Sequence, residues 1–190
     1  MNRSFPLLAL TTLVLLGACS TDAERYYRLS STGSVPANTN RFALGVGPVT
    51  LPDYIDRAEL VFQSAPNRFE APYEHRWAGN LRDGFTQVVG IDLARELGTG
   101  NLHTYPWEPG TLLRYQVPIT VRKFHAESGK LAVLEVGWTV NDGRTRETLV
   151  RRAETFSEPI QGDGYEPIVA AQSRLVAKLA RAIAASFPAR

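Results

Sequence analysis

Hydrophobic and polar positions follow two periodicities along this chain, and each marks a different kind of element. Tyr115, Val117, Ile119 and Val121 alternate with Gln116, Pro118, Thr120 and Arg122, the period-2 pattern of a strand with one buried face. Ala132, Leu134, Val136, Trp138 and Val140 repeat it after Ser128-Gly129, a turn signal. Asn141-Asp142-Gly143 predicts a hairpin into a third strand over about 145–156. The three runs predict an antiparallel meander. Pro118 has no amide proton for a ladder, which predicts an edge position or a bulge.

A fourfold spacing takes over elsewhere. Leu81, Phe85, Val89, Leu93 and Leu97 follow Trp77 at every fourth residue and predict a helix over 80–97. Each such step rotates the stripe by roughly 40°, so by the helix's end Asp92, Arg95 and Glu96 lie below the starting apolar face, with Gly90 a weak point. A second helix is predicted after Gly162-Asp163-Gly164, with Pro167 in its first turn. Ile168, Leu175, Val176, Leu179 and Ile183 share its apolar stripe, Arg174, Lys178 and Arg181 face solvent, and Gln172 reads as a buried amide bonded to backbone.

Ahead of these lie a short strand over 26–29, a polar loop over 30–40 and a strand from Arg41-Phe42 to Val49. Leu51 to Arg57 forms a turn with Tyr54 at its tip, followed by strands over 60–63 and 68–71 that pair. The expected architecture is an α/β (α+β) two-layer sandwich: a mixed, partly antiparallel sheet with two main helices packed on one face.

The N-terminus departs from this pattern. A basic start (Arg3) precedes an apolar run from Phe5 to Leu16, too short for a stable membrane span but suited to a secretory signal. Leu16-Gly17-Ala18 then leads into Cys19, the only cysteine of the chain. That arrangement resembles a bacterial lipobox, which implies cleavage between Ala18 and Cys19 and acyl chains such as palmitate on Cys19. The chain divides accordingly into a signal peptide (1–18), a lipidated tether (19–25) and a single periplasmic domain (26–190). By analogy with enterobacterial lipoproteins, Ser20 beside the lipidated residue is compatible with export to the outer membrane.

Composition then removes alternatives. With 44% hydrophobic and 21% charged residues the chain is an ordinary globular protein, and a formal charge of +2 without Lys/Arg runs gives no nucleic-acid signature. No thiol remains for a disulfide once Cys19 is lipidated. The three histidines, His75, His103 and His125, are scattered without metal-ligand spacing and are expected on loops or the surface. No nucleophile elbow, phosphate loop or complete dinucleotide motif is present, so no cofactor is implied beyond the covalent lipid. Asp53 and Asp56 flank Tyr54 as turn-forming acids. Tyr26, Tyr27, Tyr54, Tyr73, Tyr105 and Trp107 fall at loops and element ends, where amphipathic aromatics meet partners. Trp77 and Trp138 are expected in the core. Tyr54, with Asp53 and Asp56, is the first candidate for partner binding.

Several of these segments together are similar to the PqiC/YmbA family of ABC-type transport auxiliary lipoproteins. Tyr26-Tyr27-Arg28-Leu29 soon after a lipobox cysteine, Val46 to Leu60 around Pro52-Asp53-Tyr54-Ile55-Asp56-Arg57, Trp77 with Leu81, and Val169-Ala170-Ala171-Gln172-Ser173 carry the likeness. Ile55 stands where Leu is common in that family. The resemblance implies a non-enzymatic auxiliary subunit of an MCE-type or related ABC system that moves lipids between membranes, with MCE and permease components as partners. It transfers a defined role to Cys19 alone. Two further functions stay open: a carrier holding an acyl chain between helix and sheet, and a hydrolase of envelope polymer needing a His gathered with Asp or Glu. Self-association is compatible with a symmetric transporter.

Overall fold

A computed structural model describes residues 23–36, 41–127 and 130–188. In chain order these form β1 (Arg25–Tyr27), β2 (Leu44–Thr50), β3 (Phe62–Ala65), β4 (Arg68–Glu70), β5 (His75–Trp77), α1 (Leu81–Leu97), β6 (Leu102–Thr104), β7 (Tyr115–Glu127), β8 (Leu131–Asp142), β9 (Thr148–Pro159) and α2 (Tyr165–Ala185). The meander is β7–β8–β9, antiparallel throughout. Its Ser128-Gly129 turn lies outside the described residues.

β7 organises the sheet. One edge pairs with β8, and the other is shared between two parallel neighbours: β2 beside residues 115–120 and β3 beside 126–127. β6 continues outward from β2 in parallel, and β4 pairs antiparallel with β3 as predicted. The sheet is mixed, as expected. The first strand is not part of it: β1 covers Arg25–Tyr27 rather than 26–29 and joins β5 in a separate parallel pair, Tyr27 beside Trp77.

Two turns differ from their sequence reading for local reasons. Asp142 Oδ1 accepts from the amides of Arg144 and Thr145 at 2.8 and 3.1 Å, and Arg146 takes φ 62°. This longer loop delays β9 to Thr148. Pro118 lies in the interior strand β7, not at an edge, and the bulge alternative holds. Val46 pairs with Val117 but Val49 with Ile119, so the register slips at Gly47-Pro48. Both prolines lack an amide proton, so neither has a ladder donor to lose at the interruption. Gly47 has φ 117°, and an added Cβ would sit 2.6 Å from Cβ of Tyr105.

Both helices cover one face of the sheet and pack on each other. Asn80 caps α1 by accepting from the Asp83 amide at 3.2 Å, and Gly98 ends it at φ 64°. Gly90 does not break the helix. It is buried where the Leu102 methyls of β6 approach, 3.4 Å from where a Cβ would stand. Phe85 and Phe124 meet edge to face at 5.3 Å, and Leu93, Leu134, Leu175, Leu179 and Ile183 fill the layer around them. Trp77 and Trp138 are buried as expected. Phe124→Ala is expected to destabilise the domain by about 4 kcal/mol, from lost transfer energy plus a residual cavity, read as a lower urea midpoint.

The helix surfaces bury one acid and correct two expectations. Asp92, below the starting apolar face, is fully buried: its Oδ1 accepts from the Ser31 hydroxyl (2.8 Å), the Thr32 hydroxyl (3.0 Å) and the Thr32 amide (3.1 Å). The segment after β1 therefore lies across α1 and completes the stripe that drift leaves polar. Arg174 and Lys178 do not simply face solvent; both bond Glu158 on β9, at 3.0 and 2.7 Å. Gln172 is buried, but its Oε1 accepts no hydrogen bond from the described residues.

Candidate functional site

The turn proposed for partner binding is built on Pro52. The amides of Ile55 and Asp56 donate to the Pro52 carbonyl at 3.1 and 3.2 Å, while the Ile55 side chain is buried in the core and fixes the turn. Asp56 reaches back to an ion pair with Arg82 in the first turn of α1. Asp53 is exposed and Tyr54 half-buried. The Tyr54 ring packs on Phe69 of β4 (5.0 Å) and its hydroxyl meets Nδ1 of His125 at 2.8 Å. Tyr54 is thus held against the sheet instead of projecting from the tip.

His125 overturns the expectation of a loop or surface role, because it lies within β7 and is almost fully buried. A slip of register between Val121 and Lys123 inserts one residue into β7. Val121 faces the helices before the slip and Phe124 after it, so His125 turns to the opposite face. There Tyr54 and Phe69 cover it, Phe69 at 5.1 Å, while Nε2 stands 3.8 Å from Glu127. Burial lowers the imidazole pKa against the pull of Glu127, and burial raises the Tyr54 phenol. Both shifts favour a neutral pair, with Tyr54 donating to Nδ1 and the Nε2 proton directed toward Glu127.

This pair sets a pH dependence. In the unfolded chain the imidazole titrates near 6.5, and in the fold it titrates lower. Below about pH 6.5 the unfolded state therefore binds the proton first, and stability falls until the folded pKa is passed. The thermal midpoint is expected to drop between pH 7.5 and 5.5 in the native sequence, and to drop less in His125→Gln.

The other two histidines are also built into the fold. His75 of β5 stacks on Tyr165 of α2 with centroids 3.5 Å apart, and its Nδ1 meets the Tyr27 hydroxyl at 2.8 Å. Phe62 of β3 closes on Tyr165 from the sheet side at 6.0 Å. This aromatic stack joins the small β1–β5 pair to the main sheet and the start of α2. His103 Nε2 meets Asn101 at 2.9 Å. Among the described residues no His, Cys, Asp and Glu gather in a metal-binding group, and no helix is long and apolar enough to cross a membrane.

Beside β1 and β5, an open cleft of about 300 Å³ runs along the start of α1. Leu29, Trp77, Leu81 and Val88 line it together with Arg28, Asn80, Asp83 and Gln87. Tyr26, Tyr73 and Tyr105 are exposed, Trp107 is half-buried against Tyr105 at 5.3 Å, and Tyr27 is buried. Cys19, Ala18 and Ser20 lie outside the described residues. Sequence reasoning missed the roles of Asp92, His125 and Glu158; the i+4 drift, which puts Asp92 below the starting apolar face, was the one available sign of Asp92.

Taken together, the architecture is a two-helix layer on a mixed sheet, with loop-to-sheet polar contacts. The family model for the ABC-type transport auxiliary lipoprotein component matches residues 27–184, and the chain belongs to that family. Among curated proteins, none matches the sequence. The chain is similar in fold to the crystal structure of an uncharacterized protein at 21% identity and TM-score 0.72, covering 86% of this chain and 98% of that one. It is similar also to a Xanthomonas campestris protein at 15% identity and TM-score 0.63, covering 84% and 92%. A weaker likeness, 13% identity and TM-score 0.48 over 82% and 96%, is to the PelC dodecamer of Paraburkholderia phytofirmans.

Proposed function

We propose that this protein is a non-enzymatic adaptor, lipidated on Cys19 after cleavage at Ala18, that docks an MCE-type or related ABC lipid-transport system onto the periplasmic face of the outer membrane. The observation that carries the reading is the lipobox Leu16-Gly17-Ala18-Cys19 directly ahead of a domain of the transport auxiliary family. Ser20 supports export to the outer membrane, and no cofactor takes part. Asp53, the turn around Tyr54 and Asp56 form the partner surface in this reading, with Asp53 as its exposed charge. The packed Phe85–Phe124 contact between α1 and β7 favours an adaptor over an acyl carrier, since it fills the helix–sheet space a chain would need.

Co-purification in mild detergent is the test: the full-length lipoprotein should bring down an MCE or permease component, and recovery of neither sinks the adaptor role. Sorting is tested separately. Ser20→Asp is expected to shift the protein from the outer-membrane to the inner-membrane fraction on a density gradient; an unchanged distribution counts against outer-membrane placement by this residue.

A further inference from the structure

The described chain begins at Ala23, and its position limits how the domain can sit on a membrane. Cys19 to Ala23 is four peptide steps, a reach of at most about 14 Å. Ala23 lies with Arg25, Pro72, Glu74, His75 and Tyr165 around one hollow. The Arg25 amide donates to the Glu74 carbonyl at 2.7 Å, fixing the chain start on the 71–74 turn. Through the stack of His75, Tyr165 and Phe62, this region adjoins the end of β7 where Phe62 pairs with Ala126. The opposite end of β7, at Tyr115, is roughly 36 Å away along the strand. There the 143–147 loop meets the approach to β7, with the Gly143 amide on the Arg114 carbonyl at 2.9 Å.

We infer that the end of the domain formed by β1, the 71–74 turn and the start of α2 lies against the lipid headgroups, with Tyr26 and Tyr73 as its interfacial side chains. This rests on lipidation of Cys19, because an acylated residue sits at the bilayer surface and cannot let its attachment point stray further than the tether. Within that reach the surface carries two large exposed aromatics, Tyr26 at 60% and Tyr73 at 55% exposure. Tyrosine suits this position: its ring enters the boundary between headgroup and acyl chain while its hydroxyl stays hydrated. Arg25, Arg28 and Arg76 stand among Glu24 and Glu74 on the same end, a mixed set that fits headgroups carrying both signs. The Tyr54 turn packs on His125, near the same end of β7, so it lies toward the membrane side. Leu112, 86% exposed, belongs to the segment leading into the opposite end of β7, which this orientation turns away from the membrane.

Site-directed spin labelling tests this on the full-length acylated protein in nanodiscs of phosphatidylethanolamine and phosphatidylglycerol. Acylated Cys19 presents no thiol, so Tyr26→Cys, Tyr73→Cys and Leu112→Cys each offer a single labelling position. The Tyr26 and Tyr73 labels are expected to collide several-fold more with membrane-dissolved oxygen, relative to a polar nickel chelate, than the Leu112 label does. Equal aqueous profiles at all three positions overturn the inference while leaving the anchor intact. Loss of the acyl mass in intact-protein mass spectrometry instead removes the anchor, and the inference with it.

Discussion

Cys19→Ser should move essentially all of the protein from the membrane fraction to the soluble periplasmic fraction. No helix among the described residues is long and apolar enough to hold it in a bilayer. In the proposed reading acyl chains on Cys19 supply that hold at about 0.8 kcal/mol per buried CH₂, and two or more chains turn reversible contact into stable anchorage. The domain itself should be unaffected, because residue 19 precedes every element among the described residues. Fractionation with a thermal melt of the released protein checks both halves. Retention of the variant in membranes would show that another surface carries the attachment.

The second large effect is expected at Asp92. Asp92→Ala removes the acceptor shared by the Ser31 hydroxyl and by the amide and hydroxyl of Thr32, and it removes the partner that Arg95 approaches at 3.5 Å. The acceptor is charged and fully buried while Ser31 is half-buried and Thr32 exposed, so water replaces only part of what is lost and a loss of about 2 kcal/mol is expected in urea unfolding. The 31–33 segment should also loosen from α1, read as faster amide exchange at Thr32. An exposed Asp would cost within about 0.5 kcal/mol, and a result of that size would reject the buried arrangement.

These two residues show how differently the chain discloses its parts. The lipobox proposed at Cys19 is legible because such a motif is a linear string that needs no tertiary structure to be read. The meander and both helices are legible for a related reason: periods of 2 and 3.6 arise from local backbone geometry, and a buried face imposes them on neighbouring residues. Asp92 is not legible, since its acceptors' partners come from Ser31 and Thr32, some sixty residues earlier, and no local pattern announces that meeting.

The proposed partner turn falls between the two. Pro52 and Asp56 mark a turn in the sequence, and the turn is present. What the Tyr54 side chain does there depends on one inserted residue in β7, which turns His125 away from the helices and toward the turn. Continued alternation from Val117, Ile119 and Val121 would have put residue 125 on the helix side. An aromatic that reads as a free tip is thereby held in a neutral hydrogen bond on the sheet.

The sequence by itself determined the class of elements and the family, because each is written in local spacing or in short contiguous motifs. Tertiary structure alone decided the parallel placement of β2, β3 and β6, the small β1–β5 pair, and the burial of Asp92 and His125. Parallel pairing joins segments through long crossovers and polar burial depends on a partner brought from afar, so neither leaves a periodic trace in the residues that take part.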